Sequence, residues 1–237
     1  MRSQRDQWNE LARTDPLWAI LTDPEKRNGG WNEAEFFASG RNEAAGVMEQ
    51  AAKFNAPSRR HCALDLGCGV GRATQAFCDY FDDVIGVDIA PAMIEAARAY
   101  NQYGKRCRYV LNASSNLRAF SDGAFDLVYS CITLQHLPRR HIRAYLAELI
   151  RIVHPQGLLV FQLPDRYRNR KDWLTHTLYG FLMRTLLRRA DVMEMHGISK
   201  KRVTALLRAN GAEVLAIAED SMAGPKWLGW RYYARRR

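Results

Sequence analysis

Residues 63–72 read Ala-Leu-Asp-Leu-Gly-Cys-Gly-Val-Gly-Arg, a short apolar run that ends in an acid and then meets three glycines at alternate positions. Glycine at that density lets a backbone turn tightly and approach a ligand with no Cβ in the way. The residues that follow read as a helix. An apolar strand feeding such a turn, with a helix behind it, is the nucleotide-cofactor end of an α/β sheet. The dinucleotide fingerprint G-x-G-x-x-G delivers a pyrophosphate to the helix N-terminus. Here the glycines fall at 67, 69 and 71, and Arg72 stands where the third fingerprint glycine belongs. Asp65, two residues before Gly67, would repel a phosphate but can accept hydrogen bonds from an ammonium group.

The chain downstream alternates between two periods. Short apolar runs at 61–66, 84–88, 108–111, 125–131 and 158–163 read as strands, and helical patterns cover 74–81, 92–100 and 140–153. Pro91 opens the second of these helices, a position that suits proline. Strands separated by helices predict a parallel, doubly wound sheet. A helix at 199–210 with Gly211 as its cap precedes two final strands at 213–218 and 228–234, the last of them antiparallel. Residues 8–54 are helical in pattern and rich in aromatics, with breaks at Asp15-Pro16, Asp23-Pro24 and Asn28-Gly29-Gly30. The expectation is an N-terminal helical cap over residues 1–60 and a sheet domain over 61–237.

Asp65 with the Gly67-x-Gly69-x-Gly71 loop resembles motif I of the class I S-adenosylmethionine (SAM) methyltransferases, and the seven-stranded Rossmann-like ending matches their fold. The resemblance implies SAM as cofactor, held by the loop residues Asp65, Gly67, Cys68, Gly69, Gly71 and Arg72. Asp88, 21 residues after Gly67, would accept both hydroxyls of the ribose, with Ile89 and Met93 flanking the adenine. At the end of strand three the family carries an acid that bonds the adenine amino group. This chain reads Asn112-Ala113-Ser114-Ser115-Asn116-Leu117, so Asn116 or Ser114 is expected to make a neutral bond there beside Leu117.

The run 125–138 resembles motif IV of bacterial small-molecule methyltransferases, which places Ser130 and Cys131 beside the sulfonium. Gln135 and His136 are then the polar side chains best placed to reach a methyl acceptor. His136 can serve as general base, having an unperturbed pKa near neutrality; the alternative is a histidine that bonds backbone and shapes the pocket. Ser130-Cys131-Ile132-Thr133 is neither the Asp/Asn-Pro-Pro-Tyr/Phe of DNA amine methyltransferases nor the Pro-Cys of the cytosine C5 enzymes. No metal site is assigned. The reading is an enzyme that methylates a small molecule, with a hydroxyl of a sugar, lipid or secondary metabolite as acceptor. The rivals are a nucleic-acid or protein N-methyltransferase and a non-catalytic SAM-binding protein.

Charge locates a possible partner surface. The net charge is +10, and residues 164–210 hold eleven Lys/Arg against four Asp/Glu. An insertion at 164–192 is expected after strand five: a basic loop (Arg166, Arg168, Arg170, Lys171), then a helix from Trp173 to Arg189 that is apolar almost all round. Such a helix needs burial on two sides, by the pocket and by the aromatic N-terminal segment, a second subunit or a lipid. Basic residues at both its ends favour an anionic substrate or membrane surface. A nucleic-acid partner is disfavoured, because no stacking array accompanies the charge. Five cysteines without a C-x-x-C pair read as free thiols in a reducing compartment. With no signal-peptide pattern in the first residues, the expected location is cytoplasmic.

Overall fold

The computed structural model describes residues 4–169 and 194–237. The apolar runs become strands β1 (Cys62–Leu66), β2 (Asp83–Asp88), β3 (Cys107–Leu111), β4 (Phe125–Ser130) and β5 (Val153–Tyr167), followed by β6 (Ala212–Asp220) and β7 (Trp227–Arg236). They form one seven-stranded sheet in the order β3-β2-β1-β4-β5-β7-β6. The first five pair in parallel, while β7 runs antiparallel to both β5 and β6. This is the α/β, mostly parallel arrangement that the sequence predicts.

Parallel strands covered on both faces need apolar side chains on both sides. Alternate residues divide accordingly. Leu64, Val128 and Phe161 join one core with α6 (Arg139–Ile152) and α7 (Lys200–Ala209). Ala63, Leu127 and Val160 join the other, with α3 (Glu33–Ala52), α4 (Arg72–Phe77) and α5 (Pro91–Ala99). Each fully buried aliphatic side chain contributes about 1.5–3 kcal/mol, so both helical layers are held mainly by these faces. α3 therefore belongs to the sheet's own core. The short helices α1 (Gln4–Thr14) and α2 (Pro16–Ile20) instead lie over the glycine turn, in a separate cluster of Leu17, Phe36, Val70, Ala90 and Met93. Two of the breaks expected in this segment are helix starts: the side chains of Asp15 and Asp23 accept the backbone N–H of Trp18 (3.3 Å) and Glu25 (3.0 Å), and Asn32, just past the third break, accepts that of Glu35 (3.1 Å).

Two elements differ from expectation. The first helix of the sheet domain begins at Arg72 and ends at Phe77, because Gly71 sits at φ +85° and turns the chain directly into it. Strand β5 continues to Tyr167, four residues beyond the apolar run. Its antiparallel partner β7 pairs with it as far as Tyr167, and the register shift between Pro164 and Arg166 accommodates the proline. Arg166 is thus in a strand and not in the expected loop, while Arg168 lies in a bend just past the strand's end. Arg168 pairs with Glu219 and donates from Nε to the Trp227 carbonyl at 3.1 Å. Arg170, Lys171 and the helix expected from Trp173 to Arg189 lie outside the described residues. Among those described, no helix is long and apolar enough to cross a membrane.

Candidate functional site

At the C-terminal edge of the sheet, an open cavity lies between the glycine turn and the strand-four exit. Its floor is the turn after β1. The N–H groups of Gly67 and Cys68 both donate to the Val87 carbonyl (2.7 and 3.1 Å), which fastens the turn to the end of β2. Gly67 holds φ +76°, and a Cβ there would overlap the Thr133 side chain. The turn and the strand-four exit can meet only because that position is glycine.

Charged groups line this end sparingly. Asp88 accepts Gly69 N–H at 3.0 Å through Oδ2 and Ala90 N–H at 2.9 Å through Oδ1. Burial pushes its carboxyl up, and those two hydrogen bonds oppose the shift. Each oxygen retains lone-pair capacity, so a diol in the cavity can be received by both. Asp65, 3% exposed, accepts the Thr74 hydroxyl at 2.6 Å, and burial pushes it up to about 6.

Ten residues expected from sequence line the cavity: Asp65, Gly67, Cys68, Gly69, Arg72, Asp88, Ile89, Met93, Cys131 and His136. Five do not. Gly71 lies behind the turn, where its missing Cβ leaves room for the Tyr109 hydroxyl. Leu117 is fully buried in the α6-side core. Asn116 is turned to its own loop, its carbonyl accepting Asn112 Nδ2 at 2.9 Å and its Oδ1 accepting Arg118 N–H at 3.1 Å. Ser130 points into the sheet and donates to the Leu66 carbonyl at 3.0 Å. Gln135 packs behind His136, 2% exposed.

The wall near the end of β3 is supplied instead by Asn112 and Tyr145. Asn112 holds the place of the family's acid, so the signal was present four residues before Asn116. Gln4, Trp8 and Ile20 close the cavity from α1 and α2; only the aromatic-rich character of the N-terminal segment hinted at this, and nothing marked Gln4.

His136 is held on every side. Its Nδ1 lies 3.1 Å from the Glu194 carbonyl, which can only accept, so Nδ1 carries the proton. Gln135 Nε2 lies 3.3 Å from the remaining lone pair on Nε2. The Trp8 ring meets the imidazole edge-on at 5.2 Å, and Gln4 donates to the His136 carbonyl. Burial lowers its pKa to about 4, with His196 adding to the shift. The ring is neutral at physiological pH and is a weaker base than an exposed histidine.

Beyond Tyr129 and Cys131 the edge of the sheet holds a polar network that motif reading missed. The Tyr129 hydroxyl donates to Glu43 at 2.7 Å. Arg231 bridges Glu43 at 2.5 Å and Asp220 at 2.6 Å. Burial opposes ionisation of Glu43, yet Arg231 and Tyr129 hold it below the ordinary carboxylate range. Cys131 is pushed up to about 12, chiefly by burial, and stays a thiol. The next residue, Ile132, holds φ +56°, strained for a β-branched side chain, and its N–H donates to Gln162 Oε1 at 3.3 Å. These side chains come from α3, β4, β5, β6 and β7, with no local spacing for a motif to show.

Residues 63–157 match the methyltransferase domain family. A 24-methylenesterol C-methyltransferase of Oryza sativa subsp. japonica is 29% identical over 223 residues, covering 88% of this chain and 55% of that protein. A trans-aconitate 2-methyltransferase of Methylobacterium radiotolerans is 33% identical over 139 residues, covering 57% and 50%. The chain thus spans about half the length of these two relatives. Among solved structures, the magnesium protoporphyrin IX methyltransferase of Synechocystis PCC 6803, with S-adenosylhomocysteine bound, aligns with a TM-score of 0.69 at 18% identity, over 98% of this chain and 97% of that one.

Proposed function

This chain carries a methyltransferase domain in the fold of the class I SAM-dependent methyltransferases, and from that premise we propose that it moves a methyl group from SAM to a small-molecule acceptor. The observation that carries the cofactor reading is Asp88: a carboxylate at the end of β2, braced by two backbone N–H groups and open to the cavity. In this reading Asp88 receives the ribose, Ile89 and Met93 flank the adenine beside Asn112, and Asp65 faces the ammonium of the amino-acid end. The chemistry the cofactor supplies when bound is an electrophilic methyl on a sulfonium.

The chain's own contribution to the reaction is position and exclusion of water. Trp8 and Ile20 roof the cavity, and Cys131, Ile132 and Thr133 form the rigid turn facing the acceptor side. His136 acts in this reading by shape, with its neutral ring fixed by Glu194 and Gln135. The acceptor is a hydroxyl or carboxylate of a lipid, sugar or other metabolite. The printed names of the relatives (a methylenesterol, trans-aconitate, a phytyl hydroquinone) support a small molecule in general terms. Calorimetry with S-adenosylhomocysteine tests the cofactor reading. Wild type should bind at micromolar concentration and Asp88→Ala at least tenfold more weakly, as expected for hydrogen bonds to a charged group. No binding by wild type, or equal binding by the variant, refutes it.

The rim beside the cavity mouth supports contact with an anionic surface. Arg139, Arg140 and Arg143 on the first turns of α6 stand next to Lys200, Lys201 and Arg202 on α7, joined by Arg139 Nε donating to the Gly197 carbonyl at 3.1 Å. None of the six has a carboxylate partner within ion-pair distance among the described residues. Flotation with phosphatidylglycerol vesicles, lost in high salt or on substituting Arg140, Arg143, Lys201 and Arg202 with serine, supports a membrane surface. Tighter binding to a short RNA than to the vesicles would favour the nucleic-acid alternative instead.

A further inference from the structure

Ile132 follows β4 and lines the cavity in a backbone conformation that an isoleucine resists. Its φ of +56° lies in the left-handed region, which strains a β-branched side chain and suits glycine or asparagine. Such strain persists only where the surroundings hold it in place. Two neighbours do so here. Gln162, buried on β5, accepts the Ile132 N–H through Oε1 at 3.3 Å. The Thr133 side chain fills the space that Gly67 leaves by lacking a Cβ, and its hydroxyl donates to the Cys131 carbonyl at 3.0 Å. The turn is fixed on both sides of Ile132.

Packing within the protein does not account for an isoleucine at that point. Its side chain is half-buried and joins none of the apolar clusters formed by the described residues. The wall around it is neutral. Trp8 and Ile20 roof it, Leu137 continues it, and His136 is uncharged at physiological pH. Among the described residues, the charged side chains lining the cavity are Asp65, Arg72 and Asp88, all beside the glycine turn or at the end of β2. A carboxylate held against the β4 exit would lose its water and gain no charged partner there.

We propose that Ile132 is a specificity-determining residue: it selects a neutral, apolar methyl acceptor by covering that molecule's ring or chain, and the wall around it excludes an anionic one. Contact with such a ligand is what isoleucine offers at a position where glycine would be less strained. The inference rests on the SAM reading above only in calling the ligand a methyl acceptor.

The test is calorimetry on the full chain saturated with S-adenosylhomocysteine, titrated at neutral pH with 2-naphthol and with 2-naphthoate. The two probes share a ring system and differ in charge. Wild type should bind 2-naphthol at least tenfold more tightly than 2-naphthoate. Ile132→Asn should weaken 2-naphthol at least fivefold, leave S-adenosylhomocysteine within twofold, and unfold in urea at or above the wild-type midpoint. Ile132→Val should retain most of the 2-naphthol affinity. Ile132→Gly, equally free of the strain, should bind 2-naphthol as weakly as the asparagine variant, and it replaces that variant if asparagine prevents folding. Equal or tighter binding of 2-naphthoate, or no binding of either probe, would overturn the assignment of a neutral acceptor. Unchanged 2-naphthol affinity in the asparagine and glycine variants would overturn the role of Ile132. If wild type does not bind S-adenosylhomocysteine, the cofactor reading fails, and the same titrations without it decide whether Ile132 selects a neutral ligand.

Discussion

The two halves of the cavity are built by different means. On the side of β1 and β2, backbone does most of the work: glycines without Cβ, N–H groups fastened to the Val87 carbonyl, and one carboxylate braced by main chain. On the side of β4, side chains do it: Tyr129 and Cys131 line the wall, and behind them Glu43, Tyr129, Arg231 and Asp220 are wired together across almost 190 residues of sequence. The first half is a contiguous piece of chain whose geometry follows from local conformation. The second exists only once the sheet has assembled.

That division can be broken experimentally, most forcefully at Arg231. Arg231→Met leaves Glu43 and Asp220 as uncompensated acids at the sheet edge, and should destabilise the fold by about 3–5 kcal/mol in urea unfolding. Its folded fraction should still bind S-adenosylhomocysteine within twofold of wild type. A collapse of nucleoside affinity in protein that remains folded would show that the halves are one unit.

A somewhat smaller effect is expected from His136, which stands between them. Its folded pKa of about 4 lies below the unfolded value, so it contributes stability in full above pH 6.5. That contribution is lost as pH falls through about 4, amounting at most to about 3 kcal/mol. Urea unfolding of wild type and His136→Gln between pH 4 and 7 checks this. The wild type should lose more stability on acidification, and parallel curves would contradict the burial argument.

Within the backbone-built half, Gly71→Ala places a methyl group against the Tyr109 hydroxyl at a left-handed φ and should cost about 1–3 kcal/mol. Combining it with Tyr109→Phe should recover part of that loss in thermal unfolding; strict additivity would mean that φ strain, not overlap, is responsible. The smallest effect belongs to the other half. Tyr129→Phe deletes one donor to Glu43 and should cost about 1 kcal/mol, with no change in nucleoside affinity by calorimetry.

Legibility followed the same boundary. Gly67, Asp88 and Met93 sit where strand, turn and helix periodicity put them, since each is set by a few neighbouring residues. Asn116 was misplaced because the loop after β3 folds back on itself: Asn112 spends its amide on the Asn116 carbonyl and takes the cavity wall. The extension of β5 to Tyr167 was invisible because a polar stretch becomes a strand only when β7 lies beside it. Glu43 carried no signal in the sequence, because its role depends on Arg231, 188 residues away, facing it.

The sequence alone determined the doubly wound sheet and the glycine turn that floors the cavity. Apolar periodicity dictates strand and helix, and glycine spacing dictates a turn that no other residue permits. Tertiary structure decided the roof of Trp8 and Ile20, the neutral state of His136, the network around Arg231 and the burial of Arg72. Each depends on burial and on partners remote in the chain. Desolvation and pairing are properties of the assembled interior, so no local pattern of residues could specify them.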